Sequence, residues 1–530
     1  MSPSITRDAP STDPRPREEQ SEASDRAALP LALVPAAAQA DPAPNAAQKR
    51  LIDSITAPAV KKHLQALQTI ADANGGNRAA GTSGHAASRD YVVGKLKKAG
   101  YTVTVQPFDF AYFEEKSTAL MERTSPNPRV FAPTPPDGSS TGEFATMNYS
   151  GSGEVTATLQ NVDLVLPPGP TPSSSNSGCE AADFAGFTPG NIALLQRGTC
   201  DFFVKASNAQ AAGAVAAIIF NEGQPGRTDT LLGNLGEPVS IPVVGTSFAV
   251  GQELASAGTV VHLKTDTVSE IRTTHNVIAD SKWGDPNKVV MSGAHLDSVP
   301  AGPGINDDGS GSAATLAVAE ALGKVPTRNK LRFAWWSAEE LGLVGSTYYV
   351  DHLPAAELAK IKLYLNYDMV GSPNYAFKIY DGDDSDAVGS PAGPPGSDEI
   401  EKLFEKYFDT LRQGHNGTDF DGRSDYGPFI ETGIPAGGLF TGAEGIKTAE
   451  EAALFGGTAG EPYDPCYHQA CDTIANINDK ALALNTGAIA TATVVYGFTS
   501  DLPGPDTRAA ATTKRAATKA GADIHGRSKG

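Results

Sequence analysis

The chain contains no run of about 18 apolar residues, so we expect no segment that spans a membrane. It is also poor in positive charge, because 42 Lys and Arg stand against 61 Asp and Glu and leave a net charge of −19. Nucleic-acid binding depends on a positive field, so we expect no nucleic-acid partner. What remains, 530 residues of which 40% are hydrophobic and 19% charged, is typical of a soluble globular protein with two or more domains.

Cysteine is scarce as well. The four cysteines form two couples that are close in the sequence, Cys179 with Cys200 and Cys466 with Cys471. This arrangement predicts two local disulfides, which persist in an oxidising compartment. Four free thiols or a four-cysteine zinc site are the alternatives, and the absence of any Cys-x-x-Cys argues against the zinc site.

The two ends of the chain have biased compositions. Residues 1–47 are rich in Pro, Ala, Ser and charge, which predicts disorder. Within them, the apolar run 29–38 and the Ala-Gln-Ala that ends it are typical of a secretory signal cleaved before Asp41. The residues before that run are more acidic than basic, so a degraded signal, a wrongly chosen start and a plain disordered leader all stay open. The basic tail 503–530 is also predicted to be disordered.

Between the ends, the pattern of apolar residues changes twice. Helical periodicity up to Gly100 is followed by an alternating strand over 101–110. Residues 125–152 are rich in Pro, Gly, Ser and Thr, which predicts a linker. The segment IALLQRGTCDFFVKASNAQAAGAVAAIIFN, which begins at Ile192, lies in a β-rich stretch and resembles the protease-associated (PA) domain. We therefore assign residues 141–267 to an inserted PA domain.

From residue 273 onward strands alternate with helices, the pattern of an α/β sheet. Ligands of such sheets bind at the carboxyl ends of the strands. Three predicted strands end in metal-binding residue types, and one more histidine lies inside the second cysteine couple: His295 with Asp297 and Asp307, Glu339 with Glu340, Asp368, and His468. Each alone is explained by a helix cap, a turn or a solvated helix start. Three strands that all end this way indicate a site for a divalent metal that activates water.

The second half of the chain contains six further motifs: GAHLDSV, GPGINDDGSGSAA, FAWWSAEELGLVGS, NYDMVGSPN, GRSDYGPF and PYDPCYHQACDT. Together they resemble peptidase family M28, specifically its secreted leucine aminopeptidases of the Streptomyces type. The similarity covers about 45–125 and 268–500. It implies an α/β fold, a three-layer αβα zinc-exopeptidase domain with a mixed sheet, built from residues 48–140 and 268–502 around the β-rich PA domain.

The resemblance also implies a ligand set for two zinc ions. His295 and Asp368 match the terminal ligands of one ion, and Glu340 and His468 match those of the other. Asp307 matches the carboxylate that bridges them. Two such ions about 3.5–4 Å apart can hold a bridging hydroxide at neutral pH.

Neighbouring residues receive roles from the same resemblance. Glu339 matches the general base, and Tyr467 matches the hydrogen-bond donor to the tetrahedral oxyanion. Asp297 fits either an orienter of the histidine ligand or a plain turn residue. The substrate's free amine is expected to contact the base, the aspartate ligand and the backbone carbonyl of Arg423. Family members also have a cis peptide bond after the bridging aspartate, here before Asp308.

The implied protein is a secreted, monomeric di-zinc aminopeptidase that removes large apolar N-terminal residues such as Leu from peptides. Secreted relatives bind an activating calcium through acids just after the last motif, but residues 481–488 contain no carboxylate, so the sequence does not support calcium activation. A lid, a substrate-selecting surface and a spacer all stay open as roles of the PA domain.

Three rival hypotheses are a catalytically silent binding protein on the same scaffold, a related carboxypeptidase or glutaminyl cyclase, and a serine hydrolase. The complete ligand set argues against the first, and the PCYH and GRSDYGPF segments argue against the second. The Gly-x-Ser-x-Gly at residues 138–142 lies in the predicted linker, without the strand and helix that a nucleophile elbow requires.

Overall fold

The computed structural model describes residues 44–136, 138–385 and 387–504. The leader and the basic tail therefore lie almost entirely outside the described residues. Where they overlap, the structure departs from the expected disorder. The first helix, α1 (Ala46–Asp53), begins inside the leader because Asn45 accepts hydrogen bonds from two main-chain amides of its first turn. At the other end, the first residue of the tail is buried.

Helices and strands occupy most of the described chain. The further helices are α2 (Ala57–Ala73), α3 (Ser83–Ala99), α4 (Phe202–Ala211), α5 (Phe248–Leu254), α6 (Gly309–Leu322), α7 (Val344–His352), α8 (Ala355–Leu358), α9 (Ser397–Thr410), α10 (Gly427–Glu431), α11 (Ala449–Phe455) and α12 (Asp479–Phe498). The strands are β1 (Thr102–Ser125), β2 (Arg129–Val130), β3 (Phe144–Thr146), β4 (Gly153–Asn161), β5 (Ile192–Gln196), β6 (Ala216–Phe220), β7 (Val243–Thr246), β8 (Val260–Asp280), β9 (Asp285–His295), β10 (Asn329–Trp336), β11 (Ile361–Tyr367), β12 (Lys378–Tyr380), β13 (Asn416–Thr418) and β14 (Ala436–Phe440).

Strand β9 forms the middle of the sheet in the larger, outer domain. Its residues 289–294 are all buried, as expected for an apolar strand that is covered on both faces. It pairs in parallel with β10 on one side and with β11 on the other, and β11 pairs in parallel with β14. The antiparallel partners β8 and β12 lie further out. The sheet is therefore mixed, with a parallel centre.

Helices cover both faces of this sheet. Trp335 and Trp336 are adjacent in β10, so their side chains point to opposite faces. Trp335 lies in the core that α2, α3, α6, α9 and α12 form with residues such as Leu316. Trp336 lies in a second core, where α7 contributes Tyr349 and α10 contributes Phe429. The arrangement is a three-layer αβα domain with a mixed sheet, which confirms the predicted fold.

A long antiparallel ribbon joins the inserted domain to the outer one. Strands β1 and β8 pair from Thr102 opposite Asp280 to Ser125 opposite Val260. One end of the ribbon joins the main sheet through β8 and β10. Its other end pairs with β4, and β5, β6, β7 and β3 follow in order. The insert is thus a β-rich unit on an extension of the same sheet.

The predicted linker is wrong. Residues 125–152 contain β2 and β3, and Phe131 and Phe144 are fully buried in the core of the insert. The Pro, Gly and Ser residues that suggested a linker lie in the loops around these two short strands. The division at 140/141 stays a proposal, and the packing of Met121 in the same core favours an earlier one.

Helix α12 is long and apolar enough to cross a membrane by length and composition alone. However, 72% of its most apolar window is buried inside the protein, where it packs against α6, α9 and β10. Such packing is typical of the core helix of a soluble domain.

Burial of His85 in the first turn of α3 predicts sensitivity to acid. Its side chain is 2% exposed, and burial lowers its pKa from 6.5 to about 4. Between these values the unfolded chain binds a proton at this histidine and the folded chain does not, so lowering the pH favours unfolding. We expect the contribution of His85 to the free energy of unfolding to fall by about 3 kcal/mol between pH 7 and a pH below 4.

Denaturant unfolding of the wild type and of His85→Gln across this pH range measures the effect. Glutamine does not titrate at position 85. As the pH is lowered from 7 to below 4, the free energy of unfolding should therefore fall more steeply for the wild type than for the variant. Parallel pH dependences would contradict the prediction.

Candidate metal centre

The candidate ligands lie at one edge of the parallel sheet. The last residue of β9, His295, stands opposite Trp336, the last residue of β10. Strand β11 also pairs with β9 and is followed at once by Asp368. Because the three strands run in parallel and in this register, the residues after them converge on the same place. Glu340 reaches it from the turn after β10.

The five predicted ligands come together around one carboxylate. Oδ1 of Asp307 lies 3.1 Å from Nε2 of His295, and its Oδ2 lies 3.3 Å from Nε2 of His468. His468 Nε2 is also 2.9 Å from Oε2 of Glu340, and His295 Nε2 is 3.6 Å from Oδ1 of Asp368. One oxygen of Asp307 therefore faces each imidazole, the geometry that a bridging carboxylate requires.

The donor set fits divalent cations. Oε1 of Glu340 and Oδ1 of Asp368 are buried and have no hydrogen-bond partner among the described residues. Buried carboxylate oxygens without a partner are costly unless a cation satisfies them. Imidazole nitrogens and carboxylate oxygens are also the ligands that zinc takes in catalytic sites. The residues present therefore fit zinc.

Burial and proximity shift the pKa values of these groups. Burial raises the pKa of Glu340 to about 7. Burial acts to lower the pKa of His468, but its hydrogen bonds to Asp307 and Glu340 raise it to about 10. The acidic groups around the two imidazoles therefore stabilise a positive charge at this place, either a proton on the ring or a metal cation.

The loop before α6 places Asp307 and Asp308 back to back. The peptide bond between them is cis, as the resemblance implied. Oδ1 of Asp308 accepts from the amide of Gly311, which caps α6, and from the amide of Met369 after β11. Asp308 thus ties the loop to two elements while Asp307 faces the histidines.

Several supporting contacts were not predicted from the sequence. Asp472 accepts the main-chain amides of Asn306 and Asp307 at 2.8 and 3.0 Å, and Ser424 donates to Oδ2 of Asp368 at 2.6 Å. Both residues lie in quoted motifs, Asp472 in PYDPCYHQACDT directly after a cysteine and Ser424 in GRSDYGPF, but neither motif indicated these contacts. These contacts hold the main chain of Asp307 and the carboxylate of Asp368 in place.

Arg78 holds the loop after β9. It is fully buried, and its guanidinium donates to the carbonyl oxygens of Leu296, Pro303 and Gly304. Its main-chain amide donates to Oγ of Ser298 at 2.9 Å. A residue from before the insert therefore fixes the segment that leads from one candidate ligand to the next.

Asp297 lies against the histidine ligand. Its main-chain oxygen is 3.1 Å from Nδ1 of His295, and its carboxylate Oδ1 is 3.7 Å from the same nitrogen. That Oδ1 instead accepts from the amide of Glu339 at 3.3 Å. The residue contacts both the ligand and the candidate base, and its role as an orienter of the histidine stays a prediction.

Glu339 lies beside the ligands. Its Oε2 is 3.8 Å from Nε2 of His295, and burial raises its pKa well above the ordinary range of a glutamate. A carboxylate with a raised pKa is suited to take up and release a proton near neutral pH.

Tyr467 and His468 lie within the loop closed by one of the two predicted disulfides, Cys466–Cys471; the other, Cys179–Cys200, is in the insert. The two rings stack with centroids 3.8 Å apart. The Tyr467 hydroxyl is 3.2 Å from Nη2 of Arg423, whose Nη1 is 2.8 Å from Glu444. The side chain of Arg423 therefore orients the tyrosine, a contact that the sequence had not suggested.

A small pocket opens beside the candidate ligands. Its volume is about 220 Å³. Besides Asp307, Glu339, Glu340 and Asp368, it is lined by a set of larger side chains: Met369, Tyr380, Phe440, Tyr463 and Tyr467. This space holds one side chain of moderate size. Its wall is apolar and aromatic in part, and charged side chains, among them Lys378, Asp421 and Glu444, line the rest.

Comparison with known proteins identifies the family. The model of peptidase family M28 matches residues 276–493, and that of the PA domain matches 160–254. An aminopeptidase of Pseudomonas aeruginosa strain PAO1 is 50% identical over 438 residues, which are 81% of this chain and 79% of that protein. This chain belongs to peptidase family M28. It is therefore a hydrolase of peptide bonds, and the PA domain is inserted within its M28 domain.

Other relatives of this M28 peptidase agree. Leucine aminopeptidase 2 of Trichophyton tonsurans is 43% identical over 458 residues, 86% of each chain. Among solved structures, an aminopeptidase from Aneurinibacillus sp. strain AM-1 is 27% identical with a TM-score of 0.58, covering 86% of this chain and 97% of that one. A zinc aminopeptidase from Bacillus subtilis is 26% identical with a TM-score of 0.52, covering 85% and 98%.

Two further segments considered from the sequence are the Gly-x-Ser-x-Gly pattern and the stretch where secreted relatives bind calcium. Residues 138–142, which carry the Gly-x-Ser-x-Gly pattern, form a loop with neither a strand before nor a helix after it. Residues 481–488 lie in α12 and offer no carboxylate.

Proposed function

We propose that the protein is a di-zinc aminopeptidase that hydrolyses the bond after the N-terminal residue of peptides. The observation that carries this proposal is the carboxylate of Asp307, which presents one oxygen to His295 and the other to His468. The names of the relatives, aminopeptidase and leucine aminopeptidase, support the direction of cleavage.

Two groups of residues would hold the metals. His295 and Asp368 would bind one zinc ion, Glu340 and His468 the other, and Asp307 both. When bound, zinc activates a water molecule and polarises the scissile carbonyl. The carboxylate of Glu339, 3.8 Å from Nε2 of His295, would take the proton of the attacking water and pass it to the leaving amine.

The free amine of the substrate sets the position of the cut. We assign its contacts to Glu339, Asp368 and the backbone carbonyl of Arg423. All three residues line the small pocket. An acylated amine carries no positive charge and is bulkier, so it should be excluded. The N-terminal side chain enters the pocket of about 220 Å³, whose Met369 and Phe440 favour a large apolar residue such as Leu.

We also propose that the protein is secreted and acts as a monomer, and that residues 481–488 do not bind an activating calcium. Two disulfides in the described chain support an oxidising compartment. The absence of acids over residues 481–488 supports the proposal on calcium.

Removal of metal tests the proposal. Purified protein should cleave leucine p-nitroanilide, lose this activity after treatment with a chelator, and regain it with zinc. Acetyl-leucine p-nitroanilide, the matched substrate without a free amine, should stay intact. Activity that survives metal removal would contradict the metal mechanism. Cleavage of a C-terminally exposed peptide without cleavage of leucine p-nitroanilide would indicate a carboxypeptidase instead.

Replacement of Tyr467 by phenylalanine tests the oxyanion contact. The variant keeps the ring that stacks on His468 but loses the hydroxyl, so we expect kcat to fall about 100-fold with little change in KM. Tyr91→Phe, on α3, removes a hydroxyl that hydrogen-bonds to His63 and should leave kcat unchanged. Equal effects of the two substitutions would refute the role.

A further inference from the structure

A second, larger cavity lies between the PA insert and the outer domain. Its volume is about 1000 Å³, compared with about 220 Å³ for the pocket at the candidate metal centre. Ligand pockets of proteins span about 300–1,000 Å³, so this cavity can hold a ligand of several residues. In the M28 domain its apolar lining includes Leu341 and Val344, and in the insert Leu232 and Phe202. Polar and charged side chains, among them Arg197 and Asp229, surround these apolar groups.

One turn separates the two cavities. Glu339 and Glu340 line the small pocket, whereas Leu341 and Val344 line the large one. The amide of Leu343 donates to the carbonyl of Glu339 at 2.9 Å, so the chain reverses between these residues. The lining of the large cavity therefore starts at the residue that directly follows Glu340 in the chain.

The size of the small pocket decides what must lie outside it. It has space for one side chain, which the proposed function assigns to the N-terminal residue. The rest of a peptide must leave past the candidate catalytic residues, and the turn of Leu341 borders that exit. Leu341 is 43% exposed and Leu232 is 59% exposed, so apolar surface faces solvent on both walls. Exposed apolar surface rimmed by polar groups is typical of a binding site.

We infer that this cleft binds the part of the substrate peptide downstream of the cut, and that it favours apolar residues there. The PA insert is then a substrate-selecting surface rather than a spacer, because Leu232 and Phe202 form one wall of the cleft. The inference rests on the proposed aminopeptidase function, which supplies the direction in which the peptide leaves the pocket.

Peptides of different sequence but identical N-terminus test the inference. Two hexapeptides share N-terminal Leu-Ala and differ only in carrying leucine or serine at the next three positions. We expect the wild type to cleave the leucine-rich peptide with a kcat/KM about tenfold higher. In Leu232→Ser this preference should fall to about twofold or less. Leucine p-nitroanilide, which has no downstream residues, should be cleaved equally by both proteins.

Leu411→Ser is the matched control, because Leu411 is similarly exposed, at 48%, and does not line the cleft. It should leave all three substrates unchanged. An unchanged preference in Leu232→Ser would overturn the inference, and so would a parallel loss on leucine p-nitroanilide. If the wild type fails to cleave leucine p-nitroanilide at all, the proposed function fails, and binding decides the inference separately.

Binding is measured by fluorescence anisotropy with the leucine-rich hexapeptide, labelled at its C-terminus, and the Glu339→Gln protein. When Leu232→Ser is combined with Glu339→Gln in one protein, the dissociation constant should rise about tenfold. Combining Leu411→Ser with Glu339→Gln should leave it unchanged. Equal affinities would overturn the inference. A change of mass in sedimentation with Leu232→Ser would also overturn it, since the cleft would then be an interface between two copies of the chain.

Discussion

Glu339→Gln is expected to lower kcat for leucine p-nitroanilide about a thousandfold, because the amide cannot take the proton of the attacking water. Glu339 lies 3.8 Å from Nε2 of His295 and is outside the proposed ligand set, so zinc content should stay at that of the wild type. Steady-state kinetics and elemental analysis of the same preparation measure both quantities. Glutamine has nearly the same shape, so the pocket should keep its size, but it lacks the negative charge assigned to the substrate's free amine, so KM should rise while kcat falls.

Glu450→Gln is the matched control, since this glutamate is exposed in the first turn of α11. Its kinetics should equal those of the wild type. If Glu339→Gln keeps activity within about tenfold, another group takes the proton, and the role proposed here is wrong. If zinc is lost together with activity, Glu339 acts as a ligand rather than as a base.

Arg78→Met should lower the free energy of unfolding by about 3–5 kcal/mol, since it removes a buried charge that acidic groups and carbonyl oxygens surround. The carbonyls of Leu296, Pro303 and Gly304 lose their charged donor, and Asp297 loses a nearby positive charge. Denaturant unfolding measures the change. Because the loop between the first two candidate ligands loses its support, we also expect weaker zinc retention during dialysis against a chelator.

Arg412→Ala provides the comparison, because this arginine is exposed after α9. It should change stability by less than about 0.5 kcal/mol and leave zinc retention unchanged. A similarly small effect of Arg78→Met would show that the loop keeps its conformation without the arginine. Arg78→Lys, which retains the charge but not the forked geometry, should fall between the two.

The candidate ligands could be predicted from the sequence because their placement is local. His295 and Asp368 lie at or directly after strand ends, and parallel strands bring such ends to one edge of a sheet. The strands β9, β10 and β11 are rich in apolar residues, so they can be recognised without any tertiary information. The loop that carries Tyr467 and His468 was visible for a similar reason, since two nearby cysteines enclose it.

Contacts between distant parts of the chain could not be predicted in this way. Residues 125–152 have the composition of a linker, yet Phe131 and Phe144 are buried because the insert folds around them. Composition reports how easily a segment can turn, whereas burial depends on what packs against it. Arg78 is a similar case. An arginine is expected at the surface, but this one is fully buried under the loop after β9.

The sequence alone therefore determined the fold class, the family resemblance and the identity of the candidate ligands, because strand ends and motif spacing are local properties. The tertiary structure decided which groups support them: Arg78 and Asp472 are both far in sequence from the loop between His295 and Asp307, yet both hold it. It also decided that the insert faces the turn of Leu341 across a cleft. The path of a long ribbon sets that placement, and pairing between β1 and β8 depends on residues more than a hundred positions apart in the chain.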